Sequence, residues 1–180
     1  MDNYFEELKT ELRAGAENRE HSFHYFVLGT EGVDHMVRQR IIVLRNFGDD
    51  LKLSFFTDYR SKKVTHIREN NRVSLLFYDP ANLLQLRIEG LASISRDRAV
   101  IESHWENLED PNRKAYTTAT APGTVLENPE VLEFLDKDNY FCLVDVEPFK
   151  IEYLKLAAPN HLRVHYKKKG DHWEGSFLTP

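Results

Sequence analysis

Residues Phe55-Phe56-Thr57-Asp58-Tyr59-Arg60-Ser61-Lys62-Lys63 bring aromatic rings, hydroxyls and three cations together within nine positions. The pattern predicts a strand over 51–58, a turn, and a helix over 60–70. Lys62 and Lys63 then fall in the first helical turn, where the macrodipole is positive and each exposed cation costs roughly 0.3 to 1 kcal/mol. An anion held by the free backbone N–H groups of that turn, with Arg60, Ser61, Lys62 and Lys63 around it, reverses the sign of the cost. A phosphate monoester is the natural guest. The alternative is a solvated basic turn whose lysines bend away into water.

Other chemistries find less support. The eight histidines are scattered, and His161 and His165 fall on a predicted strand, where a four-residue separation is not the adjacent-turn pair of a helical zinc motif. No metal site is expected. There is no Gly-x-Gly-x-x-Gly or Walker loop, which disfavours a Rossmann or P-loop nucleotide site. With 24 basic and 29 acidic residues the net charge is −5, so the basic turn is a local feature and nucleic acid is not an expected partner. The single Cys142 excludes an intramolecular disulfide and reads as a small buried apolar residue. No apolar run suggests a membrane span or signal peptide, and cytoplasmic residence is the expectation.

The elements that must position the basic turn are mostly strands. The chain of 180 residues is expected to form one complete domain, residues 1–180, with an N-terminal helix within 1–20. Phe5, Leu8 and Leu12 recur at helical spacing over 4–13, with Asp2 or Asn3 as N-cap. Segments 22–30, 36–47 and 51–58, rich in β-branched and aromatic residues and separated by Gly/Asp turns, predict an antiparallel meander. Strands follow at 72–78 and 83–95, then a helix to Asn107 capped by Asp97, a mobile loop at 109–128 and a helix at 129–135. Strands at 140–146, 149–156, 162–168 and 173–178 complete the chain, with Pro148 and Gly170 as turns. About eight strands with short helices inserted between them predict a mostly β, α+β fold, an antiparallel barrel. Such a barrel fills its interior with side chains, so a large planar cofactor has to lie on its surface or between subunits.

Taken in order, Arg40-Ile41-Ile42-Val43-Leu44-Arg45, Phe56-Thr57, Ser61-Lys62-Lys63, Asn71 to Phe77 and Gln85 to Gly90 resemble the pyridoxamine 5′-phosphate oxidase family. The similarity runs almost without gaps from Phe23 to Ser95. It implies an FMN-binding split β-barrel that forms a homodimer with FMN at the subunit interface. By position it implies that Arg40, Ile41, Ile42, Val43, Leu44 and Arg45 lie along the flavin, that Phe56 and Thr57 contact the ring or ribityl chain, that Lys62 and Lys63 hold the phosphate, and that Ser61 is a further cofactor contact. Gln85 and Arg163 are further cofactor contacts on the same resemblance.

The substrate half of the resemblance is weaker. Pro159 stands where the oxidases carry the first arginine of Arg-x-His-x-Arg, and Trp105, Glu109 and Arg113 replace the Tyr, Arg and Ser that grip the vitamin phosphate. An acidic side chain there repels a phosphate dianion. The expected function is an FMN-dependent oxidoreductase moving a hydride between FMN and a small-molecule substrate or NAD(P)H. The alternatives are a true pyridoxine/pyridoxamine 5′-phosphate oxidase and a non-catalytic flavin-binding or stress-related module. No side chain stands out as a general acid or base; His161 is the strongest catalytic candidate. Trp173 reads as a plug for the barrel end.

Overall fold

The computed structural model describes residues 1–95, 97–128 and 130–180. Helix α1 (Asp2–Glu17) leads into a 3-10 turn at Ser22–His24. Strands β1 (Tyr25–Glu31), β2 (Val37–Val43), β3 (Asn46–Phe47) and β4 (Leu53–Asp58) follow, then α2 (Lys62–Glu69), β5 (Arg72–Asp79) and β6 (Leu84–Ile94). Helices α3 (Arg98–Glu106) and α4 (Asp110–Arg113) precede β7 (Phe141–Lys155), β8 (Leu162–Lys169) and β9 (His172–Leu178).

All described strands join one antiparallel sheet in the order β2-β1-β5-β6-β7-β4-β3, with β8 and β9 continuing from β7. The sheet curls on itself: the Arg45 N–H donates to the Ser54 carbonyl at 2.9 Å, tying the end of β2 to β4. Alternation fixes two faces. Leu28, Leu75, Ile88 and Ile151 share a cross-strand row and are buried, so that row marks the inner face. Val27, Leu76, Arg87 and Glu152 form the neighbouring row and mark the outer face. Helix α1 inserts Leu8 and Leu12 into the core, worth about 1.5 to 3 kcal/mol for each buried leucine.

Several sequence expectations need correction. Helix α1 starts two residues earlier and runs four residues longer than the predicted 4–13, with Met1 as N-cap in place of Asp2 or Asn3. The tail is held because His24 Nδ1 lies 2.9 Å from the Gly15 carbonyl. The predicted strand 36–47 is broken after Val43. The two strands predicted at 140–146 and 149–156 are one strand, β7, running through Pro148. Proline lacks an N–H and is tolerated in a sheet at a bulge, and the β6–β7 register shifts between Glu89 and Gly90, directly opposite Pro148. A Cβ on Gly90 would lie 2.7 Å from Val146 Cγ1 and 2.8 Å from the Glu147 carbonyl, so this crossing needs glycine. The predicted helix at 129–135 is not formed over residues 130–135, where an isolated bridge joins Phe134 to Thr118; Pro129 lies outside the described residues. The predicted loop 109–128 contains α4 and a 3-10 turn at Lys114–Tyr116.

Candidate functional site

The basic turn links β4 directly to α2. Strand β4 ends at Asp58, and Ser61 enters α2 as N-cap without capping it through its side chain; its hydroxyl lies 3.3 Å from Thr57 Oγ1 instead. No acceptor among the described residues takes the N–H groups of Lys62 and Lys63. No acidic residue occupies the first turn of α2. Lys63 Nζ donates to Thr57 Oγ1 at 2.9 Å, and Lys62 is exposed. Burial, and then the charge of Arg40, pull the Lys63 ammonium below the usual lysine range. Arg40 is itself lowered, by burial and by Arg38. Neither Arg40 nor Lys63 meets a carboxylate among the described residues, whereas Arg38 is paired with Asp34 at 2.5 Å and Arg60 with Asp58 at 2.7 Å. Two part-buried cations, two hydroxyls and a free helix N-terminus fit a phosphate group.

Arg60 does not belong to this set, contrary to the expectation that it surrounds the anion. Its guanidinium donates to both oxygens of buried Asp58, to the Ala119 carbonyl at 3.1 Å and to the Thr118 carbonyl at 2.9 Å. It also lies 3.3 Å from the Tyr140 ring centroid. Arg60 therefore clamps the 118–119 segment against the turn.

The remaining predicted residues fall into two further groups. Phe56 points to the other face of β4 from Thr57 and meets Phe141 at 4.8 Å and His104 at 5.2 Å. The Arg45 guanidinium sits 5.3 Å over the Phe56 ring, and burial raises the Tyr116 phenol above its ordinary range while the charge of Arg45 opposes the shift. Trp105 closes this aromatic cluster against Phe141 and Tyr116. Within 40–45, Ile42 and Leu44 are core side chains, Ile41 points outward and is 70% exposed, and Arg40 lies on the inner face beside Thr30. For Ile42 and Leu44 only the backbone can meet a ligand.

Gln85 and Arg163 lie on the outer face, in one row with Tyr78 and Leu154. Arg163 donates to buried Glu152 at 3.1 Å and Arg87 donates to the same carboxylate at 2.9 Å, while the Nε groups of both arginines are buried without an acceptor. His161 is exposed just before the start of β8 and, among the described residues, accepts only from the Ala157 N–H of its own loop. Trp173 packs on Phe5 of α1, with ring centroids 5.9 Å apart. Sequence reasoning missed Thr30, His66, His104 and Phe141. The histidines lie on the inward stripes of α2 and α3, a periodic signal that could have found them.

A family model described as the pyridoxamine 5′-phosphate oxidase, FMN-binding domain matches residues 1–96. The chain is similar to the pyridoxine/pyridoxamine 5′-phosphate oxidase of Thermosynechococcus vestitus, 28% identical over 166 residues, covering 85% of this chain and 77% of the relative. The enzyme of the same name from Shewanella halifaxensis is 27% identical over 154 residues, covering 79% and 72%. Among solved structures, a pyridoxamine 5′-phosphate oxidase-related, FMN-binding protein of Nostoc punctiforme superposes with a TM-score of 0.80 at 22% identity, covering 98% of this chain and 97% of that one. PhzG of Burkholderia lata, solved with tetrahydrophenazine-1-carboxylic acid, gives 0.82 at 20% identity, covering 98% and 92%. At those identities the two structures establish a shared fold, the antiparallel split barrel.

Proposed function

Because the chain belongs to the pyridoxamine 5′-phosphate oxidase FMN-binding domain family, we propose that it is an FMN-dependent oxidoreductase whose cofactor phosphate is held by Arg40, Ser61, Lys62 and Lys63. The observation that carries the reading is the pair of part-buried cations Arg40 and Lys63, without carboxylate partners among the described residues, at the open start of α2. FMN, when bound, supplies two-electron chemistry that no side chain offers. The chain's own residues bind and orient. Thr57 and the 40–45 backbone offer hydrogen bonds, and Arg45 over Phe56 offers a flat, positively charged wall.

In this reading two copies make the complete site. Arg40 and Lys63 serve the inner end of one barrel, whereas Gln85 and Arg163 lie on the outer face of the same sheet, so one chain cannot direct both groups at one small molecule. Gln85 and Arg163 are assigned to the cofactor of a second copy. In support, that face leaves Tyr25, Val37, Ile41 and Tyr78 between 49% and 70% exposed, an apolar patch suited to a two-fold interface.

The substrate side favours a small molecule other than the vitamin phosphate. Glu109 is drawn to Arg19 at 3.4 Å, and Arg113 is turned inward onto the Glu106 carbonyl at 2.7 Å and over Trp105 at 5.5 Å. Neither offers a free cation for a second phosphate. A cytoplasmic location suits a chain with a single cysteine.

The test is the visible spectrum of the purified protein after FMN reconstitution, repeated anaerobically with NADPH and with pyridoxamine 5′-phosphate. Stoichiometric FMN bleached by NADPH is the expected result. Turnover of pyridoxamine 5′-phosphate to the aldehyde would assign a true oxidase, and bound FMN reduced by neither compound would assign a non-catalytic flavin-binding module. A protein that takes up no FMN refutes the reading.

A further inference from the structure

Arg40 Nη1 donates to Thr30 Oγ1 at 2.7 Å and to the Leu28 carbonyl at 3.2 Å. A guanidinium has donors only, so the Thr30 hydroxyl accepts from Arg40 and keeps its own proton to give. Thr30 Oγ1 lies 3.0 Å from His66 Nδ1, and both residues are buried. A hydroxyl can accept twice, but a second donor on it would strand the Thr30 proton, which has no other acceptor among the described residues; donation to Nδ1, with the lone pair on that nitrogen, satisfies all three groups. The ring is neutral with its proton on Nε2. Its surroundings favour the neutral ring: burial first, then the charges of Arg40 and Arg38, hold the His66 pKa below the usual histidine range, with Asp34 pulling the other way and Lys62 adding a smaller push down.

We propose that Thr30 and His66 are positioning residues that fix the Arg40 guanidinium for the cofactor phosphate; this rests on the reading of Arg40 and Lys63 as the phosphate grip. The physical advantage lies in what the relay leaves out. Arg38 and Arg60 are oriented by Asp34 and Asp58, and such a carboxylate cancels the charge it orients and repels an incoming anion. A neutral hydroxyl and imidazole orient Arg40 while leaving its whole charge for the guest. A protonated His66 would present an N–H to a hydroxyl already accepting from Arg40. The Thr30 proton would then be left without an acceptor in a buried site, and a second positive charge would face Arg40.

The experiment titrates apo-protein with FMN and, in parallel, with riboflavin, which lacks the phosphate, following the quenching of flavin fluorescence. Thr30→Val and His66→Leu are each expected to weaken FMN about tenfold, one hydrogen bond to a charged group, with riboflavin affinity unchanged. The double variant should lose no more than either single variant. Thr30→Ser and His66→Asn, which keep a hydroxyl and an acceptor in place, should restore most of the loss. Nitrogen-15 spectra of the apo-protein should show His66 as the Nε2–H tautomer at pH 7.5.

Lys63→Met separates the two levels of the argument. If Lys63→Met weakens FMN selectively while Thr30→Val and His66→Leu bind it as the wild type does, the relay is wrong and the phosphate grip stands. If all three variants bind FMN normally, the grip is wrong and the relay with it. An Nδ1–H tautomer, or equal losses for FMN and riboflavin in the relay variants, also overturns the proposal.

Discussion

Replacing Lys63 by methionine separates binding from folding, because Lys63 has one hydrogen bond inside the protein and an unfavourable setting. In the apo-protein the substitution removes the 2.9 Å bond to Thr57, and also removes a charge pulled down by burial and by Arg40. The first loss is offset by the second, so apo stability should stay within about 1 kcal/mol of wild type, or about 4 °C in Tm for a chain of this size. The holo-protein loses a charge-assisted contact to a dianion in a part-buried site, about 1.5 to 3 kcal/mol. At about 1.4 kcal/mol per decade that is about a tenfold to 150-fold rise in Kd for FMN. Riboflavin should bind as before. Flavin fluorescence titrations at fixed ionic strength, with thermal melts of the apo-proteins, read both quantities. FMN affinity within twofold of wild type would refute the reasoning; so would parallel loss of riboflavin, which would mark Lys63 as a structural residue.

Three other outcomes are expected. Arg60→Ala leaves Asp58 buried without its cation and frees the 118–119 carbonyls, which should cost about 3 to 5 kcal/mol, read as a large drop in Tm with new proteolytic cleavage near residues 117–123. Burial pushes the Cys142 thiol up to about 11, so it should resist a disulfide reagent at pH 8 in the native state and react at once in denaturant. Because the folded chain holds His66 neutral with a lowered pKa, the unfolded chain binds the extra proton. Its stabilising contribution is therefore complete above the ordinary histidine value of about 6.5 and shrinks as the pH falls below it. Denaturant midpoints of wild type and His66→Asn should converge from pH 7.5 to pH 5; a constant gap would mean that His66 titrates alike in both states.

Local signals carried much of the fold and the centre of the site. Strands β5 and β6 were legible because apolar alternation there coincides with burial, β4 because it is a short aromatic-rich run buried along most of its length, and α2 because a helical stripe follows a turn-forming segment. The anion reading of Lys62 and Lys63 needed only the helix start, since the dipole of a first turn depends on local backbone and not on the rest of the molecule. Pro148 misled because proline normally ends a strand, and the compensating glycine that permits the bulge lies 58 positions earlier, at Gly90. The helix expected at 129–135 shows the same limit: its pattern fits a helix, but residues near Phe134 bond to the 117–119 segment instead.

By itself, then, the sequence determined an antiparallel, mostly β architecture and a basic helix start whose chemistry suits an anion. It could not decide which cations remain available, because a charge is neutralised or left open by neighbours distant along the chain. Arg60 is drawn to Asp58, Thr118 and Ala119, whereas Arg40 donates to Thr30 and to the Leu28 carbonyl and has no carboxylate partner among the described residues. Nor could it place Gln85 and Arg163 on the opposite face of the sheet from Arg40. That division follows from cross-strand register, which only the closed sheet fixes, and it makes a second copy part of the proposed site.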